Sequence, residues 1–242
     1  MLKILFRFTL AVALVFASLT GLPVVAKDGD VFPPGSKPLG RSYAEWSADW
    51  WRWALSIPPA NNPITDPDGS SCAVGQHGPV WFLAGTFGQT VVRNCAVPAE
   101  KALFFPLINN EFENIWVGEP IRTIQELRDL VAPAGSPDNP LSLEVDGKPV
   151  LEENGGHTLY DFRAISPVFD YSFPVDNIGG QPAGVYYPTV GDGYYIMLKP
   201  LSPGTHTVRF TAAMPQSGFN LDVTYNLEVV KLTGNCASPP CP

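Results

Sequence analysis

Between Leu221 and Val229 the chain alternates strictly. Leu221, Val223, Tyr225, Leu227 and Val229 are apolar, and Asp222, Thr224, Asn226 and Glu228 between them are polar. Successive side chains of a strand point to opposite faces, so this pattern predicts an extended segment with one buried side. A shorter version, Leu141, Leu143 and Val145, runs into Asp146-Gly147, a dipeptide suited to the positive backbone angles of a tight hairpin turn. Residues 158–166, 168–173, 194–198 and 205–212 read as further strands, the last two joined through Ser202-Pro203-Gly204. Upstream, residues 80–84 read as a buried strand, 85–90 as a turn and 91–95 as a returning strand, which predicts a hairpin. Residues 101–108 form another strand-like run, with Pro106 marking an edge or a bulge.

Two segments follow the helical period instead. Ser42-Tyr43-Ala44-Glu45 is a capping box, in which the serine caps the third amide and the glutamate reaches back. Beyond it, Tyr43, Trp46, Trp50, Trp53 and Ala54 recur at steps of three and four, and Pro58-Pro59 stops the helix near Ser56. Thr123 and Glu126 form a second capping box and open a short helix over 123–131. The expected fold is mainly β: a β-sandwich or jelly-roll-like domain, with a Trp-rich N-terminal helix and one further short helix.

The N-terminus changes the domain plan. Lys3 and Arg7 precede an apolar run over residues 8–17, Gly21 and Pro23 interrupt it, and Val24-Val25-Ala26 offers the small-residue site that signal peptidase accepts. Cleavage is expected after Ala26, with Ala17 as the second choice. A membrane anchor needs roughly 20 continuous apolar residues, and Ser18, Thr20, Gly21 and Pro23 cut the run short. The chain therefore divides into a signal peptide (1–26), an extended Pro-rich arm (27–41) and one β-rich globular domain (42–242). No membrane insertion is expected after cleavage, and the product is periplasmic or secreted.

Composition narrows the partners. The formal net charge is −8, and removing Lys3 and Arg7 makes it more negative, a field that repels nucleic acid and anionic membranes. With 22 glycines and 26 prolines among 242 residues, many turns are expected, while 45% hydrophobic residues suffice for a core. The four cysteines, Cys72, Cys95, Cys236 and Cys241, all follow the leader. An even count in an exported chain points to two disulfides. Of three possible connectivities, proximity favours Cys72–Cys95 with Cys236–Cys241. The alternative of a zinc site lacks a C-x₂-C pair and a histidine at ligand spacing.

The segments SYAEWSADWWRWALS (42–56), CAVGQHGPVWFLAGTFG (72–88) and KALFFPLIN (101–109) resemble motifs of a family of exported bacterial proteins of uncharacterised activity. That resemblance implies bacterial export and no particular chemistry. SPGTHTVRF followed by LDVTYNLEVV is similar to the closing strands of immunoglobulin-like and jelly-roll modules, a likeness of fold that does not fix function.

Candidate chemistry is sparse. Trp46, Trp50 and Trp53 share the face expected to pack on a sheet, whereas Trp51 points about 100° from Trp50. Trp51, with Arg52 beside it, is thus the aromatic expected to meet a ligand. Glu45 and Asp49 project together one turn apart, and Glu111 and Glu113 lie among Asn109, Asn110 and Asn114; either pair could supply the two carboxylates of glycoside hydrolysis. A capping role already explains Glu45, and Asp49 can pair with Arg52. Asp66 and Asp68 have the start of a calcium-loop pattern without its later ligands, and an Asp/Gly turn explains them equally. No metal and no cofactor is expected. His77, His157 and His206 stand in no metal-binding spacing, and no G-x-S-x-G elbow anchors a serine triad. The sum favours a non-catalytic binding or structural protein of the bacterial envelope or extracellular space, its partner a glycan or an envelope protein gripped in part by the arm. The alternative is a secreted carbohydrate-active hydrolase using a carboxylate pair.

Overall fold

The computed structural model describes residues 29–114, 120–151 and 156–231. The signal peptide and the Cys236–Cys241 pair lie outside these residues. In chain order the elements are α1 (Tyr43–Ser56), β1 (Val80–Phe82), β2 (Thr90–Pro98), β3 (Ala102–Glu113), α2 (Ile124–Val131), β4 (Leu141–Val145) and β5 (Lys148–Pro149). They continue with β6 (Arg163–Ile165), β7 (Phe169–Phe173), β8 (Gly184–Leu198), β9 (Gly204–Met214) and β10 (Phe219–Val230). The strands form two five-stranded sheets. One has the order β1-β3-β8-β6 with β7 also on β8, and the other the order β2-β10-β9-β4-β5. The fold is mainly β with two α-helices, as the periodicity indicates.

Alternation decides the second sheet. In β10, Leu221, Val223, Tyr225, Leu227 and Val229 are all buried, and their cross-strand partners on β9 include His206, Val208, Phe210 and Ala212. The hairpin from β4 to β5 turns at Asp146 (φ 53°) and Gly147 (φ 69°), the conformation that Asp-Gly favours. In the first sheet, β3 and β8 are buried on both faces over much of their length. Phe105 stacks on Phe210 of the opposite sheet at 5.1 Å, while Phe104, on the other face, stacks on Tyr195 at 5.5 Å and meets Trp46 of α1. The register of β3 shifts between Pro106 and Ile108, the bulge that the proline marked. Past this bulge the second sheet gives way to α2, whose Leu127 and Val131 pack with Phe112 and Val190.

The hairpin expected over 80–95 does not form. β1 runs parallel to β3 in the first sheet, and β2 runs parallel to β10 in the second. The segment between them crosses from one sheet to the other, turned by Thr86, whose hydroxyl accepts from the amides of Gly88 and Gln89. Burial explains the separation. All three residues of β1 are buried, whereas β2 alternates. The arm is also bound: Val31 bridges Leu198, and the Lys199 amide donates to the Asp30 carbonyl, extending the end of β8.

Cys72 and Cys95 form a disulfide, 23 residues apart in sequence. It ties the polar loop before β1 along the free edge of β2, where the Asn94 amide donates to the Asp68 carbonyl at 2.8 Å. Gly69 lies so close to this strand that a Cβ there would stand 2.2 Å from the Asn94 oxygen. The loop thereby covers the middle of an edge that would otherwise offer unpaired backbone to another chain. Reducing this disulfide should lower folding stability by about 3 kcal/mol on the loop-entropy estimate. Urea unfolding with and without reductant checks this, and an unchanged midpoint would show that the loop is held by its hydrogen bonds alone.

Candidate functional site

α1 begins at the expected capping box. The Ser42 hydroxyl accepts from the Glu45 amide, and the Glu45 carboxylate accepts from the Ser42 amide at 2.8 Å. These bonds hold the Glu45 carboxyl below the usual glutamate range. Sheet, arm and disulfide loop surround the helix so fully that Tyr43, Trp46, Ala48, Trp50, Trp51, Trp53, Ala54 and Leu55 are all buried. What stays accessible is Ala44 and a narrow strip of Glu45, Asp49, Arg52 and Ser56.

This arrangement corrects the expectation for Trp51. It is not an exposed platform: only 7% of the residue is accessible. Its ring packs edge-on to Trp50 at 4.9 Å and lies against β8, where a Cβ on Gly191 would stand 3.1 Å from the indole Nε1. The expectation assumed that one side of the helix packs, whereas the first sheet and the 57–88 loop enclose it on several. Arg52 does reach the surface, donating to the Asp49 carboxylate and to both the carbonyl and the carboxylate of Asp170 on β7.

Along the accessible strip runs a groove of about 550 Å³ between α1 and the loop entering β1. Trp46, Trp53 and Phe82 reach it from the core side, and Arg41, Asp49, Arg52 and His77 stand around it. Both indole N–H groups are spent on backbone, Trp46 on the Pro38 carbonyl and Trp53 on the Val74 carbonyl. The tryptophans therefore offer the groove ring surface only. Arg41 lies over the Trp46 ring at 5.3 Å and pairs with Asp49, which also holds Arg52. Asp49 is thus fixed between two arginines rather than set beside Glu45 as half of an acid–base pair.

Glu111 and Glu113 do come together. They project from one face of β3, opposite Gly191 and Thr189 of β8, on the side that α1 covers. Glu113 is 2% accessible; Glu111 is partly accessible as a residue, yet its Oε2 is sealed and meets no hydrogen-bonding group among the described residues. Burial first, then the charge of the neighbouring Glu113, raise the Glu111 carboxyl well above the usual range. Tyr171 of β7 lies beside them, 3% accessible, with its hydroxyl unsatisfied among the described residues. Burial and then the two glutamates push its phenol far upward. With Glu113 sealed from solvent, the two carboxyls cannot stand on either side of a sugar ring as glycoside hydrolysis requires.

No protein-family model matches the chain, and no curated protein matches it. A solved structure of PbICP-C in complex with falcipain-2 aligns over 65% of this chain and 96% of that one, at 9% identity and a TM-score of 0.22.

The remaining candidates have structural occupations. The Asp66 carboxylate accepts from the amides of Asp68, Gly69 and Ser71, so it organises its own loop. Asp68 accepts from the Ser70 amide, which lowers its carboxyl. Among the described residues no group of three or more histidines, cysteines or carboxylates is placed to hold a metal ion. Ser202, His206 and Asp146 meet in space, with the ring Nδ1 2.9 Å from Asp146. The ring Nε2, however, faces the Ser202 carbonyl at 2.9 Å and its hydroxyl at 3.4 Å. A carbonyl only accepts, so the Nε2 hydrogen is committed and cannot make way for a proton from the serine. The cluster clasps the start of β9 to the β4–β5 turn.

One residue that periodicity did not single out is Arg93, 1% accessible on the inward side of β2. Its guanidinium donates to the carbonyls of Ile64, Asp66, Ala84 and Gly85 and to the Tyr225 hydroxyl. The signal was its parity: Arg93 shares a face with Cys95 and Val97, both buried, while neighbouring Val92 is exposed.

Proposed function

We propose that the protein is an exported, non-catalytic binding module of the bacterial envelope or extracellular space, and that the groove beside α1 takes a glycan. The observation that carries this reading is the groove itself, where the accessible edges of the otherwise buried Trp46, Trp53 and Phe82 rings meet the polar groups of Arg41, Asp49, Arg52 and His77. A concave, partly apolar floor with a few convergent polar groups suits a ligand that carries both apolar and hydrogen-bonding surface, as a sugar ring does. The Cys72–Cys95 disulfide agrees with an oxidising compartment. The hydrolase alternative is less supported: Glu45 is committed to its cap, Asp49 to two arginines, and Glu113 is sealed from solvent.

Titration calorimetry against a panel of soluble glycans tests the reading. A binding glycan should lose about tenfold or more in affinity on combined Arg41→Ala and His77→Ala substitution, while the unfolding midpoint moves little, because both side chains stand at the rim. No heat with any glycan, or binding indifferent to these substitutions, would overturn it. A glycan turned over into products would restore the hydrolase.

A further inference from the structure

We propose that Glu111 and Glu113 act as a proton-sharing pair that makes the seating of α1 depend on pH. Both side chains lie on the face of β3 that α1 covers. Gly191, the cross-strand neighbour of Glu111, is the residue against which Trp51 rests. Among the described residues no ion pair to either glutamate is found. On α1 the nearest base in sequence to Trp51 is Arg52, which is turned to Asp49 and Asp170. On β3 and beyond, Arg122 lies over Phe112, on the opposite face of the sheet. β7 contributes Tyr171, and β8 contributes Tyr186 and Tyr195, all three with phenols that burial raises. Asp192, also on β8, is held by Arg163 through two hydrogen bonds, at 3.0 and 2.6 Å. Among the described residues, the glutamate pair is therefore flanked by aromatic rings and an unsatisfied phenol, with no ion pair to either carboxyl.

Two carboxylates cannot both stay ionised in such surroundings, since burial and mutual repulsion act in the same direction. One proton held between them leaves a single charge and supplies the donor that two carboxylates lack. When that proton leaves to solvent, two like charges stand beneath the helix, and water can solvate Glu113 and the sealed Oε2 of Glu111 only if the elements that cover them, α1 among them, move. The sign follows from linkage. Glu111 titrates above its ordinary range in the folded protein, so above that range the closed form holds a proton that the opened form has lost. Closure is complete at acidic pH and weakens as pH rises, by up to tenfold in the opening equilibrium per pH unit for one linked proton. The inference does not depend on what the groove binds.

The test uses the mature oxidised protein over a range from about pH 5 to about pH 9, starting near the ordinary carboxylate range and extending well above it. Infrared spectra should show a protonated carboxyl band at neutral pH that Glu111→Gln removes. Amide exchange of α1 and the near-ultraviolet tryptophan signal should show the helix loosening as pH rises in the wild type. In Glu111→Gln, a nearly isosteric change that removes the charge, both should stay flat. Absence of the carboxyl band, or the same pH profile in both proteins, would overturn the proposal. So would a band displaced by calcium or magnesium, which would make the pair a cation site.

Discussion

Arg93→Met should lower folding stability by about 3–5 kcal/mol, the range for stranding buried groups that relied on a charged partner. Among the described residues the guanidinium makes no ion pair. It spans carbonyls from the loop before β1 (Ile64, Asp66), from the crossing segment (Ala84, Gly85), and the Tyr225 hydroxyl on β10. Methionine fills much of the same volume but donates nothing, so four carbonyls lose a donor in a place water does not reach. Arg93→Lys should recover little, because three donors on one nitrogen cannot span a planar fork of five. Equilibrium urea unfolding checks both variants. A lower midpoint with an unchanged slope is expected, and a loss below about 1 kcal/mol would mean that relaxation or water satisfies the carbonyls.

Arg93 also marks where sequence reading stops. Periodicity located β4, β9, β10 and both capped helices, because each is a local pattern: alternation on a half-buried strand, or a box of four residues at a helix start. It did not locate pairing. Val80–Phe82 and Thr90–Pro98 are adjacent in sequence and separated by turn residues, yet they enter different sheets through parallel pairings with β3 and β10. Such partners are distant in sequence, and no local signal announces them.

The candidate site was legible to the same extent. The Trp-rich helix and Arg52 were visible in the sequence, as were the two carboxylates on one strand face, since Glu111 and Glu113 are two residues apart. What covers them was not visible. A helical wheel gives angles around one helix, whereas burial depends on everything packed against it. Trp51 was placed on the open side because a helix is usually covered on one side, and here the first sheet and the disulfide loop share the covering.

Trp51→Ala should therefore behave as a core truncation, with a loss of about 3–5 kcal/mol and a drop in unfolding midpoint on the order of 10 °C. The ring fills the space against Gly191 and supports Trp50 edge-on, and neither neighbour can close the gap without moving a strand or a helix. Trp51→Phe should cost clearly less, because it keeps most of the ring, and the indole N–H it removes has no partner among the described residues. The alanine variant carries a second consequence. Burial is the leading cause of the raised Glu111 carboxyl, so opening a path for water beside Gly191 should bring that carboxyl back toward its ordinary range. Stability should then fall less steeply with rising pH in Trp51→Ala than in the wild type, even as the variant is weaker at every pH. Thermal unfolding at several pH values reads both effects together. A midpoint that does not move would return Trp51 to the surface, and a lower midpoint with the wild-type pH slope would mean that Trp51 is core but does not shield the pair.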